Sequence, residues 1–209
     1  MIISSITETK DNKVKVFIDN EYAFWLYRKD LKRYQLEEGN DISDMVYHEI
    51  LEDIVLYRAK QKALAILKYM DRTKYELNSK LKDAGYTDPI IELVMDYVTG
   101  YGYINDERFA SSYVKNRMNT KSKMIIKMEL IRKGIDKDLI GDAITSEYRI
   151  EDLNSSEDPE LSAIKKAILK KGKDLVNLSY DEKQKLVGNL YRKGFDIDKI
   201  HKVIEEIEN

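Results

Sequence analysis

The chain contains no cysteine among its 209 residues, which excludes disulfides and thiolate metal sites and fits a reducing compartment. Only two prolines and nine glycines are present, too few for long irregular loops, so a mostly helical protein is expected. No run of about 18 apolar residues occurs. The start, MIISSITETK, lacks the basic opening and apolar middle of a signal peptide. A cytoplasmic location without a membrane partner is therefore expected. The two histidines, His48 and His201, stand at no metal-ligand or triad spacing. Phosphate-loop, dinucleotide-binding and H-E-x-x-H motifs are missing as well. No enzyme activity, cofactor or bound metal is expected.

What is present is a core-forming 43% of hydrophobic residues under a surface fed by 35% charged ones. The net charge of −2 gives no reason to suspect nucleic acid, but its distribution is uneven. Residues 1–55 carry 7 basic and 12 acidic groups, whereas residues 101–150 carry 10 basic and 7 acidic ones. Between Val114 and Gly134 seven cations stand against Glu129 alone. A solvated helical surface and a surface for an anionic partner both account for that imbalance.

The first residues read as strands. IISSITETK, KVKVFID and EYAFWLY are rich in β-branched and aromatic residues and are separated by turn-like KDNK and DNE. A small antiparallel meander is expected, with Val14, Val16 and Ile18 on its apolar face and Trp25 packed on it. LKRYQLEEGNDIS then reads as a short helix closed by Gly39, with Asp41 or Ser43 opening the next.

Helical periodicity dominates from about Ser43, and three glycines, Gly85, Gly134 and Gly194, align an internal repeat. Eight residues before them stand Leu77, Ile126 and Leu186, and four before them Leu81, Leu130 and Leu190. Just beyond come Tyr86, Ile135 and Phe195, then Ile91, Ile140 and Ile200, then Val94, Ala143 and Val203. This register predicts a helix with one apolar face, a left-handed glycine cap with an apolar residue packing back, and a second helix capped by Thr87, Asp136 or Asp196. A further helix precedes each hairpin, at about Tyr57–Met70, Asp106–Met118 and Pro159–Lys171. Each unit is thus three helices, and stacked units predict an elongated, curved array. The expected divisions are a β-rich module over 1–55, repeats over 56–100, 101–149 and 161–209, and an acidic linker over 150–160.

The fragment GYINDERFA, from Gly102 to Ala110, reads as an over-specified helix start. Asn105 is placed to cap, Asp106 and Glu107 lie in the first turn, and Ile104 and Phe109 have the spacing of a hydrophobic staple. Met118, Met124 and Met128 read as core filler. Of the 15 tyrosines, Tyr22, Tyr27, Tyr69, Tyr75, Tyr86, Tyr97, Tyr101, Tyr103 and Tyr113 are expected mostly at core or boundary positions rather than as stacking platforms.

ALAILKYMDRTKYELNSKL, GYINDERFASSYVKNR and IIKMELIRKGI, in this order, resemble the RecX family of recombination regulators over roughly Ala59 to Ile207. The resemblance implies a modulator of RecA that binds the RecA–DNA filament and affects its ATPase, strand exchange and coprotease activities. Inhibition is the expected sense, within recombination, DNA repair and the SOS response. Where family members have a Gly-x-Gly-Pro-like turn, this chain has MNTKSK, residues 118–123. Arg72 and Arg117 occupy family motif positions. The residues expected to meet the RecA filament or DNA, single- or double-stranded, are Arg72, Arg108, Lys115, Arg117, Lys121, Lys123, Lys127, Arg132 and Lys133. A monomer is expected. The alternative is a helical-repeat protein that acts by occupying DNA itself, with strong salt dependence as its mark.

Overall fold

Strands β1 (Ile3–Glu8), β2 (Lys13–Ile18) and β3 (Glu21–Tyr27) form an antiparallel meander in that order. The structure, a computed structural model, describes residues 1–9, 12–154, 158–170 and 178–208. Part of the KDNK turn and of the linker, and the end of the third repeat's first helix at Lys171, lie outside the described residues. The β2–β3 turn places Asp19 and Asn20 at φ 50° and 68°, the twist that a two-residue hairpin requires. Val14 and Val16 pair with Leu26 and Phe24, and all four are buried. Trp25 points to the opposite face, where its ring meets Tyr86 at 5.8 Å between centroids.

The next helix, α1 (Arg28–Tyr34), ends on Gln35 in the left-handed region at φ 51°, so Gly39 does not close it. Helix α2 (Asp44–Glu49) is capped by Ser43 and runs through a π-helical turn, Ile50–Leu56, into α3 (Tyr57–Tyr69) without leaving helical backbone. The helix foreseen at Tyr57 therefore begins at Asp44, and a boundary at 55/56 falls inside it. Ile50, Ile54 and Val55 line the buried side of the wide turn.

Helices α4 (Lys74–Asp83) and α5 (Asp88–Gly100) complete the first repeat. Helices α6 (Asp106–Arg117), α7 (Lys123–Arg132) and α8 (Lys137–Asn154) build the second. Helices α9 (Pro159–Leu169), α10 (Tyr180–Arg192) and α11 (Ile197–Glu208) build the third. The hairpin turns are equivalent. Gly85, Gly134 and Gly194 have φ of 89°, 76° and 79°. Tyr86, Ile135 and Phe195 donate their N–H to the carbonyls of Leu81, Leu130 and Leu190 at 3.2, 3.1 and 3.3 Å. Both partners of each pair are buried, as are the other apolar positions of the register. This is the Schellman cap with its hydrophobic contact, made three times. The hairpins' first helices start on Thr73, Ser122 and Ser179, each accepting an N–H of the first turn. Asp136 and Asp196 cap the second helices, whereas Thr87 makes no side-chain cap.

The chain divides into two units, Met1–Asn105 and Asp106–Asn209. The first holds one core shared by the sheet and the first repeat. The second holds two cores, one for each of its repeats. Ile104 is buried in the first unit's core, while Phe109 is half-buried against the second repeat's core, so the staple pair serves two different cores. Four of the nine tyrosines expected in core or boundary positions, Tyr69, Tyr75, Tyr101 and Tyr103, are exposed. Met118 is core, but Met124 and Met128 are exposed.

Candidate functional site

The cation-rich segment spans the end of α6, its turn and the start of α7. The turn is tight because one acceptor holds it. The carbonyl of Arg117 takes the N–H groups of Thr120 and Lys121 at 2.9 Å each and the Thr120 hydroxyl at 3.0 Å. MNTKSK thus closes with no glycine in it. Ser122 caps α7 at the N–H of Ile125 and donates its hydroxyl to the carbonyl of Lys193, joining the second repeat to the third repeat's turn. A Cβ on Gly194 would lie 2.5 Å from the Cβ of Met124. Only glycine permits that approach.

The nine cations expected at a partner surface do not form one patch. Lys121 is committed inside the unit: its ammonium pairs with Glu129, which also accepts from the Tyr113 hydroxyl at 2.8 Å. Burial alone would raise the Glu129 carboxyl. The bonds from Lys121 and Tyr113 and the charges of Lys121 and Arg117 outweigh it and hold the group below the ordinary carboxylate range. Arg117 is exposed, its guanidinium 5.6 Å from the Tyr113 ring centroid. Lys123 and Lys133 lie over Tyr148 and Phe109, at 4.3 and 5.5 Å. Arg108, Lys115, Lys127 and Arg132 are exposed elsewhere on the second unit. Arg72 belongs to the first unit, 3.9 Å from Glu76.

Two of the nine, Arg117 and Lys121, meet three lysines of the third repeat. Together with Lys166, Lys170 and Lys193 they line a cleft of about 650 Å³ with an apolar floor of Ile125, Ala167 and Phe195. No carboxylate lines it among the described residues. Apart from Lys121, none of these cations forms an ion pair among the described residues. A concave wall of like charge focuses potential toward an anion. Counted together with the acidic linker, residues 151–209 carry 11 basic and 13 acidic groups, and that balance hides Lys166, Lys170 and Lys193. Their signals were there all the same: Lys166 and Lys170 are helical neighbours, and Lys193 repeats in YRKG the place of Lys133 in IRKG. Among the described residues no group of three His, Asp or Glu is gathered as for a metal, and no helix is long and apolar enough to cross a membrane.

Three helix hairpins on one cap design, each preceded by a helix and two of them joined at a cationic cleft, define a tandem three-helix-repeat protein. Comparison with known proteins gives the family. The first, second and third three-helix domains of RecX match residues 59–97, 105–144 and 158–204. A regulatory protein RecX from Clostridium acetobutylicum is 32% identical over 202 residues, covering 95% of this chain and 91% of the relative. One from Bacillus subtilis is 31% identical over 212 residues, covering 99% and 77%. A crystal structure of a regulatory protein RecX superposes with a TM-score of 0.62 at 25% identity, covering 98% of both chains. That of RecX from Lactobacillus salivarius gives 0.57 at 28% identity, covering 73% of this chain and 96% of the other. The chain belongs to the RecX family of regulatory proteins.

Proposed function

We propose that the chain regulates RecA by binding the RecA–DNA filament and lowering its ATPase, strand-exchange and coprotease activities, in the cytoplasm and as a monomer. The observation that carries this reading beyond family membership is the cleft between the second and third repeats, where four cations stand without a carboxylate partner among the described residues. Such a surface attracts the acidic groups or phosphates of a nucleoprotein filament at long range, and apolar contacts on its floor add specificity. Repeated units also offer several contacts to a repeating target, which raises avidity without a deep pocket.

The test is RecA's DNA-dependent ATPase at substoichiometric protein, with the Lys166→Glu/Lys170→Glu double variant beside it. Wild type should inhibit well below the amount that saturates the DNA. The double variant should need several-fold more protein, with the difference shrinking at high salt. An exposed control outside the cleft, Lys202→Glu, should inhibit as wild type does. Equal inhibition by all three proteins would remove the cleft from the mechanism. Inhibition appearing only at DNA saturation would favour direct occupation of DNA.

A further inference from the structure

Helix α3 carries two adjacent i,i+4 rows on one side: Tyr57, Gln61, Ala65 and Tyr69 beside Arg58, Lys62 and Ile66. In the first unit these rows border two concavities. The larger, about 530 Å³, is walled by Trp25, Tyr27 and Tyr86 and carries Lys13, Arg58 and Lys62. The smaller, about 290 Å³, carries Lys62, Tyr69, Arg72 and Lys80. Lys62 lines both, so the two concavities adjoin along the helix and together make up the groove. No carboxylate lines either part among the described residues. Asp30, from behind, takes the Arg58 guanidinium in a two-point pair at 2.8 and 3.1 Å, and Glu76 approaches Arg72. Lys62 and Lys80 form no ion pair among the described residues, and the Lys13 ammonium rests 4.2 Å from the Trp25 ring centroid. Two buried donors, Trp25 Nε1 and Arg72 Nε, reach no acceptor among the described residues. Tyr57 and Tyr69 border the groove at the two ends of α3 and are 60% and 87% exposed. The helix rise sets them about 18 Å apart.

We propose that this groove is a single-stranded nucleic-acid track, in which Lys13, Lys62 and Lys80 follow the phosphodiester backbone and Tyr57 and Tyr69 stack unpaired bases. Cations in line with exposed aromatic faces are the two components of sequence-tolerant single-strand binding. A duplex keeps its base faces internal and leaves the tyrosines unused. An acidic peptide would satisfy the lysines but leave the ring faces without partners. The track lies in the first unit and is independent of the cleft and of the RecA reading.

Anisotropy of a labelled oligothymidylate tests the track without RecA, in protein already carrying Lys166→Glu/Lys170→Glu to silence the cleft. The sole tryptophan, Trp25, reports occupancy through its fluorescence. Oligothymidylate should quench it. Tyr57→Ala/Tyr69→Ala should weaken binding about tenfold or more. Lys62→Gln/Lys80→Gln should make the slope of log affinity against log salt shallower by about 1.4. All four positions are exposed, and unchanged thermal melting confirms that each variant folds. Absence of quenching, affinity indifferent to loss of the two tyrosines, equal competition by duplex, or equal quenching by polyglutamate would each overturn the proposal.

Discussion

Lys121 and Lys127 lie six positions apart in one basic stretch, yet their tasks differ. Lys127 is exposed, whereas Lys121 is half-buried against Glu129. Lys127→Glu should leave the urea midpoint unchanged, because an isolated exposed charge contributes little. Lys121→Glu should destabilise the second repeat by about 1–2 kcal/mol, because it sets a carboxylate against a partly buried carboxylate. Equal midpoints for the two variants would show that the Tyr113–Glu129–Lys121 network carries no stability. The cations of this stretch were visible in the sequence, but their partners were not. Lys121 meets Glu129 across the start of a helix rather than along its face, and no periodicity announces such a pair.

At the level of elements, the hairpins were the most legible part of the fold. A glycine, the leucine four before it and the apolar residue after it form a local device, so sequence spacing carries it. Gln35 and the π-helical turn were not legible. One places a non-glycine residue at positive φ, and the other carries a helix on through Tyr57, where the repeat register alone starts a new one. The third repeat also contains a device with a pH signature. Lys199 of α11 pairs with Asp158, the cap of α9, at 2.6 Å and with Glu160 at 2.8 Å. Burial would raise the Asp158 carboxyl, but the Lys199 ammonium and the Glu160 N–H outweigh it and hold the group below its usual value. The unfolded chain then binds the proton more readily. This contribution is complete above the unfolded carboxylate value of about 4 and is lost as pH falls through the lower folded one. Urea midpoints at pH 3, 5 and 7 should show Asp158→Asn weaker than wild type at pH 5 and 7, with the gap closing at pH 3. A gap independent of pH would mean that only the cap, not the ion pair, matters.

On the scale of the whole molecule, each unit closes its own apolar interior, and each is about the size at which domains fold alone. Fragments Met1–Asn105 and Asp106–Asn209, expressed separately, should each melt cooperatively by circular dichroism. A fragment that melts without a transition would show that its core depends on the other. The cleft was only half legible at this scale, since Arg117 and Lys121 came from a basic segment, while the charge of their three partners was masked by the acidic linker counted with them. The helical run from Asp44 to Tyr69 bears on how such proteins can be recombined. A chimera that exchanges the second or third repeat can be cut before a helix that starts afresh, at Asp106 or at Pro159. A chimera cut at residue 59, where the first domain match begins, severs a continuous helix and strands its hydrogen-bonding groups. The first repeat is therefore transplantable only together with its sheet. The interchangeable building block of this chain is not one three-helix unit but two kinds of cassette, one of them β-anchored.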